Sequence, residues 1–594
     1  MQKFVTLAKS FSTNPLLIVV VLVCLAYFVI QPVGNYVVND EWAHSRQVEA
    51  FTNHVFRIQA NTDAVLILQA LIGFGASLLF GYSFVTLKFV AIGFLLLLLV
   101  GVYAILASLR ISKTLSFFTL LILAFNPIVL HLGSVFMTDI PFLALFSWVL
   151  YFYIRYFKSN KFLFAVLGGI LCALSILIRQ VGVMVFAAFF VVECARILRT
   201  IGEKITLKGL LIKFLPLVIS GLIVCGGLGI YLLWPRYSSF LPGGKFGGMS
   251  SFLSNFILFD KVFPRVGDLL TSLYYFGFFS FPLVFALKTN LKKWTLVVII
   301  LVGGMISYFM YKSNVFPLGN ILYLEGLYAK ALQLRDVSLF NNFTFKFIVS
   351  LLSGFSITKI ALILFFEFKR STQKLLLKLF LLMVFVLTLL LLVFTNDLYD
   401  RYLLPSYLAF LLLVALVANS TTRISKVIGI LFGCFFMLIS VLLVFDYTVS
   451  TKLKWDAAKA ITQNTGIYAQ ILVDNAYSSY QTTKKFKDYS GLDYINSSNN
   501  YLCVTEVIRS DVNGLVGTDL TKPVLINKLD SIVSNLVGDP KEIKKKKSPA
   551  PVVEKEDRDY YFSKDYYSPV YKAVNLDTNV QGWCMKPILR DSLK

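Results

Sequence analysis

The sequence predicts an all-α polytopic membrane protein of about thirteen transmembrane helices, with a small extracytoplasmic α/β domain at its C-terminal end. Composition is the first observation behind this. Of 594 residues, 57% are hydrophobic and only 15% charged, too much apolar surface for a soluble chain of this size to hide. The second is a series of long, nearly uncharged stretches such as 16–30 and 375–394, apolar on all sides as lipid requires. The third is the placement of charge. The net charge of +24 comes from short basic clusters between spans, which carries topological information and argues against a nucleic-acid partner.

In order, the spans are expected at 15–31, 84–108, 114–131, 138–155, 162–178, 180–197, 212–234, 267–287, 293–311, 345–366, 375–395, 401–419 and 426–446. Lys3 and Lys9 precede the first. A signal peptide is the rival reading, but the span is long and no clean small-x-small cleavage site follows, so it reads as an uncleaved helix. Every even-numbered span leaves through a basic loop: Arg110 and Lys113; Arg155, Lys158 and Lys161; Arg196, Arg199, Lys204 and Lys208; Lys288, Lys292 and Lys293; Lys369, Arg370 and Lys374; Arg423 and Lys426. The positive-inside rule puts these loops in the cytoplasm, and everything beyond Asp446 outside. The expected location is the cell (inner) membrane.

The connecting segments differ in character. Residues 64–80 are apolar, studded with glycine and lack a basic exit, which suggests a helix along the interface. Residues 235–268 and 312–342 read as outer loops. The chain divides into a membrane domain, 1–446, and a C-terminal domain, 447–594. In the latter, 455–463 reads as a short helix, while Ile471-Leu472-Val473 and Tyr501-Leu502-Cys503-Val504 read as buried strands. The lysine run 544–547 with Ser548-Pro549-Ala550-Pro551 is a solvated insertion. Of seven cysteines, Cys24, Cys172, Cys194, Cys225 and Cys434 sit in or beside apolar spans as small core residues. Cys503 and Cys584 fall in the outer tail, and no CxxC spacing occurs.

Charges that depart from this pattern are the functional candidates. Asp40-Glu41 lie in the first outer loop, where two solvated acids are the plain reading. Asp139, in Thr138-Asp139-Ile140-Pro141, opens a span. A capped start with proline in the first turn and an acid complementing the helix dipole accounts for it equally well. Lys88, Arg179 and Arg401 are cations on the outer side by this topology, where simple snorkelling is the alternative. Acids and cations gathered at one membrane face suit an anionic lipid headgroup, with carboxylates available for proton abstraction. His44 is a further acid–base candidate against the commoner solvated loop histidine, and three histidines are too few for a His-rich metal site. Transporters place charges at mid-span and break helices in paired positions. The interfacial charges and the lack of a clear repeat here favour an enzyme over a transporter or a lipid flippase, and the retained Asp40-Glu41 pair favours it over a degenerate assembly subunit.

In this order the motifs resemble the GT-C superfamily of integral-membrane glycosyltransferases, in the branch of protein O-mannosyltransferases and the aminoarabinose transferase of lipid A. The resemblance rests on Asp40-Glu41, on Thr138-Asp139-Ile140-Pro141, on Ile178-Arg179-Gln180-x-Gly182 and on Arg401-Tyr402-Leu403-Leu404-Pro405. It covers roughly residues 10–420 and is strongest in the first 200; the tail has no counterpart. It implies inverting transfer from a polyprenyl-phosphate sugar to a lipid, glycan or protein acceptor. Asp40 would be the base, Glu41 its support, and Asp139 would orient the acceptor or the arginines. Lys88, Arg179 and Arg401 would bind the lipid phosphate, with His44, Gln180 and Tyr402 near the acceptor. No cofactor is required, since cations can serve the phosphate. A divalent ion at the adjacent acids is chemically allowed but not indicated. The absence of a soluble Rossmann signature also points to a lipid-linked donor.

Overall fold

The computed structural model describes residues 14–56, 66–201, 207–237, 262–287, 293–313, 316–323, 326–327, 342–368, 374–393, 399–418, 423–465, 471–472 and 502–503. Within them the chain is a multi-pass helical membrane protein. Ten helices are long and apolar enough to cross a membrane, and each coincides with an expected span. The first, third and fifth expected spans are also helices, but shorter: Pro15–Ile30, Lys113–Ala124 and Phe162–Ile176. The third is cut because Asn126 and Pro127 restart the backbone. The Asn126 side chain accepts the Ile128 N–H at 3.0 Å, and proline occupies the first position of the Pro127–Leu132 helix. The segment read as an interfacial helix is a helix over Ile67–Phe80.

One expectation is corrected. Residues 455–463 do not form a separate short helix; they continue a single helix, Arg423–Thr465. Apolar character ends near Asp446, but the lysine- and alanine-rich continuation contains nothing that breaks a helix. Strands lie within both expected segments: Ile471–Leu472 pairs in parallel with Leu502–Cys503. A two-residue antiparallel pair, Leu322–Tyr323 with Gly326–Leu327, lies in the segment read as an outer loop. The lysine run 544–547, Cys584 and most of the 235–268 loop lie outside the described residues.

The chain forms two compact units. The first contains residues 1–33, 44–318 and 347–442; the second contains 34–43, 319–346 and 443–594. In the first, the helices Asp139–Ser159, Phe162–Ile176, Val183–Ile201 and Leu207–Tyr237 pack through small residues. A Cβ on Gly227 would lie 2.6 Å from the Ala173 Cβ, so those two helices touch at their backbones. Tyr153 stacks on Phe189 at 4.2 Å, and its hydroxyl meets Ser220 Oγ at 2.9 Å. Glu193, fully buried, accepts hydrogen bonds from the Tyr156 hydroxyl at 2.8 Å and Arg196 at 2.6 Å, tying the first and third of these helices together. This packing fixes the corner between Phe162–Ile176 and Val183–Ile201, where Arg179 sits.

Candidate functional site

The corner is built by local hydrogen bonds. The Arg179 backbone is extended, its N–H reaches Ser175 O at 2.9 Å, and a single 3-10 turn, Gln180–Gly182, follows. Cys172 Sγ donates to Gly182 O at 3.4 Å. A side chain at Gly182 would strike Ser175 Oγ, so glycine lets the turn close on the preceding helix. The extended residue turns the arginine side chain away from both helices.

The Arg179 side chain meets the start of the Asp139–Ser159 helix. One terminal nitrogen lies 2.9 Å from Asp139 Oδ1, and Nε–H donates to Thr138 Oγ1 at 2.8 Å. This second bond corrects the capped helix start expected from Thr138-Asp139-x-Pro141. Thr138 has right-handed helical backbone angles and makes no side-chain capping bond, because its hydroxyl serves Arg179 instead. The turn before it is held by His44, whose buried ring lies with Nδ1 3.2 Å from the Phe136 carbonyl. A carbonyl only accepts, so Nδ1 carries the hydrogen.

Arg401 approaches the same carboxylate from another element. It belongs to a 3-10 turn, Asp400–Leu403, that leads into the Leu404–Ala418 helix; Asp400 Oδ1 accepts the Arg401 backbone N–H at 2.7 Å. A terminal nitrogen of Arg401 stands 3.9 Å from Asp139 Oδ2 and 3.8 Å from Met137 Sδ. Arg179 reaches Oδ1 without a well-aligned hydrogen bond, and the Arg401 nitrogen is too far from Oδ2 for one. These contacts are therefore held by charge more than by alignment. The Tyr402 ring lies beside both arginines, 5.0 Å from the Arg179 guanidinium carbon and 5.3 Å from that of Arg401. Its electron-rich face eases the close approach of two like charges.

The Asp139 side chain is 1% exposed, that of Arg401 7% and that of Arg179 16%. Two guanidiniums meet the Asp139 carboxylate in a poorly solvated place, and the more exposed of them is Arg179. Such a cluster can receive an anion with oxygens of its own, by replacing or joining Asp139 as the counter-charge.

Of the residues singled out from sequence, the structure gathers Asp139, Arg179, Arg401 and Tyr402. Gln180 is exposed at the corner, while Lys88 is buried in the Phe84–Ser108 helix, where its charge acts on His131. Asp40 and Glu41 belong to the second compact unit. There Glu41 is 1% exposed and its carboxylate accepts the Val38 N–H at 3.0 Å, while Asp40 is half-buried at the helix start. Burial, and secondarily the Glu41 carboxylate, push the Tyr36 phenol well above its ordinary pKa. Thr138, Met137, Ser175 and Gly182 escaped sequence reasoning as contributors. Met137, Thr138 and Gly182 sat inside or beside motifs that could have drawn attention to them. Among the described residues, no group of three or more His, Cys, Asp or Glu side chains converges as metal ligands would.

Comparison with known proteins follows the same lines. Residues 17–234, less than half of the chain, match the family described as dolichyl-phosphate-mannose-protein mannosyltransferase. The resemblance to GT-C glycosyltransferases read from the motifs stands on this match. The matched stretch contains Asp40, Glu41, Lys88, Asp139, Arg179 and Gln180, and leaves Arg401 and Tyr402 outside it. No curated protein matches the chain. Among solved structures, the chain is similar to ArnT from Cupriavidus metallidurans bound to undecaprenyl phosphate. That likeness has 12% identity, a TM-score of 0.45 and coverage of 82% of this chain and 92% of that one. It is also similar to the archaeal oligosaccharyltransferase AglB from Archaeoglobus fulgidus in complex with an inhibitory peptide and a dolichol-phosphate. Here identity is 13% and the TM-score 0.40, over 81% of this chain and 60% of AglB.

Proposed function

We propose that the protein is a glycosyltransferase that moves a sugar from a polyprenyl-phosphate-linked donor to a hydroxyl of an envelope lipid, glycan or protein, at the outer face of the membrane. The observation that carries the reading is the buried two-arginine cluster on Asp139, flanked by Tyr402. In the reaction, a carboxylate takes the acceptor hydroxyl proton and the oxygen attacks the anomeric carbon. The bond from that carbon to the phosphate oxygen breaks, and polyprenyl phosphate departs with the electron pair. Guanidiniums placed at the phosphate favour this step because negative charge grows there.

The assignment of Asp40 as base rests on the motif resemblance and on its being the less buried acid of the pair. Glu41, engaged by the Val38 N–H, supports the loop. Arg179 and Arg401 receive the phosphate, with Lys88 as a further cation. His44 supports the turn before Asp139, and Gln180 and Tyr402 face the acceptor side. Residues 447–594 form a separate outward-facing domain in this reading. Whether a hexose or a pentose is moved is read from the product. Mass spectrometry of envelope glycolipids and glycoproteins, with and without the gene, is expected to reveal one missing sugar and so identify donor and acceptor together. An unchanged envelope glycome under conditions where the protein is expressed contradicts the proposal.

A further inference from the structure

A second charged cluster lies away from this site, where the loops after the second, fourth and tenth expected spans converge. Lys158 Nζ donates to Ser108 O, and Lys374 Nζ donates to Leu109 O at 3.3 Å, so both lysines cover the C-terminal end of the Phe84–Ser108 helix. Arg110, Arg155 and Lys374 all lie close enough to Lys158 to repel it electrostatically. Arg155 is fixed over the Phe164 ring at 4.9 Å and bonded to the Tyr151 hydroxyl at 3.2 Å. Among the described residues no carboxylate pairs with any of these four cations.

The backbone adds an independent observation. Arg110 has a φ of +56°, in the left-handed region that favours glycine. It holds the position after the helix end where the Ile111 N–H reaches back to Leu106 O at 3.0 Å, the usual place for glycine. The corresponding residue after the Asp139–Ser159 helix is Asn160, which tolerates the same conformation. A strained arginine kept among three other cations implies a use for its charge. Beside the cluster the helix Phe162–Ile176 starts with exposed apolar side chains, Phe162 at 44% and Leu163 at 61%.

We propose that Arg110, Arg155, Lys158 and Lys374 form a binding site for the phosphodiester headgroup of an anionic membrane phospholipid, whose acyl chains lie along the exposed apolar surface at Phe162 and Leu163. The lipid supplies a counter-charge that no carboxylate among the described residues does, and joins the ends of three membrane hairpins. The adjoining apolar surface favours a lipid over a soluble anion. The site is independent of the proposed transfer reaction.

The test is thermal unfolding of the full-length protein in detergent, titrated with phosphatidylglycerol or with phosphatidylcholine of the same acyl chains. Phosphatidylglycerol is expected to raise the midpoint beyond the rise given by phosphatidylcholine. Removing one cation should weaken phosphatidylglycerol binding by about fivefold, and the Lys158→Gln/Lys374→Gln pair by about 30-fold. Arg110→Gly separates the site from mere stability: it should raise the midpoint in phosphatidylcholine by relieving backbone strain, yet weaken phosphatidylglycerol binding. Three results overturn the proposal: equal midpoints in the two lipids, an undiminished phosphatidylglycerol increment in the variants, or reproduction of that increment by inorganic phosphate, which marks a free-anion site.

Discussion

Asp139→Asn is expected to cost roughly 3–5 kcal/mol of stability, the usual penalty for removing one partner of a buried ion pair. The side chain is 1% exposed and faces two guanidiniums, so neutralising it removes the carboxylate that both of them approach. Asparagine keeps the shape, and Thr138 still accepts from Arg179, which separates the loss of charge from the loss of packing. The effect is read as a lower unfolding midpoint in detergent micelles and reduced recovery of folded protein. If the positive cluster is an anion site, polyprenyl phosphate restores part of the lost stability, because the lipid phosphate takes over the role of the carboxylate. An unchanged midpoint shows that Asp139 does not compensate the arginines.

Asp40→Asn should have the largest effect on activity, lowering sugar transfer by about 10²–10⁴-fold, the range for loss of a general base. Stability should change little. Asparagine keeps the shape of the half-buried Asp40 side chain, and the backbone carbonyl still accepts the Ala43 N–H. Glu41→Gln gives the internal contrast, because Glu41 is buried and holds the Val38 N–H. Its replacement should disturb the loop while leaving measurable transfer. Transfer at the wild-type rate by Asp40→Asn contradicts the assignment of the base.

Much of the fold was legible in sequence because lipid imposes a simple rule: backbone polar groups are satisfied inside apolar helices about twenty residues long. All thirteen expected spans are helices, and the three basic exits carrying Arg110, Lys158 and Lys374 converge. Boundaries failed where hydropathy and helix formation part company. Asn126-Pro127 interrupts a run that stays apolar, and the helix continues to Thr465 after the apolar run has stopped. At the candidate site the charged residues were recognisable one by one as departures from the charge pattern. Their pairing was not. Arg179 reaches Asp139 only because Cys172, Ser175 and Gly182 close the corner, and His44 braces the site through the Phe136 carbonyl, a group that every residue possesses. Thr138 misled because a threonine before a helix is ordinarily a cap, and nothing local reveals that an arginine 41 residues on will claim its hydroxyl.

Binding of polyprenyl phosphate to purified wild-type protein and to Arg401→Ala tests whether the arginines on Asp139 receive a lipid phosphate. Native mass spectrometry from detergent micelles, with the unphosphorylated polyprenol as control, reads the difference. The wild type should bind the phosphate and discriminate against the alcohol, and Arg401→Ala should lose about tenfold or more in affinity for the phosphate alone, as expected for a charge-assisted contact. Equal binding of phosphate and alcohol by the wild type, or undiminished phosphate binding by a folded Arg401→Ala variant, contradicts the account.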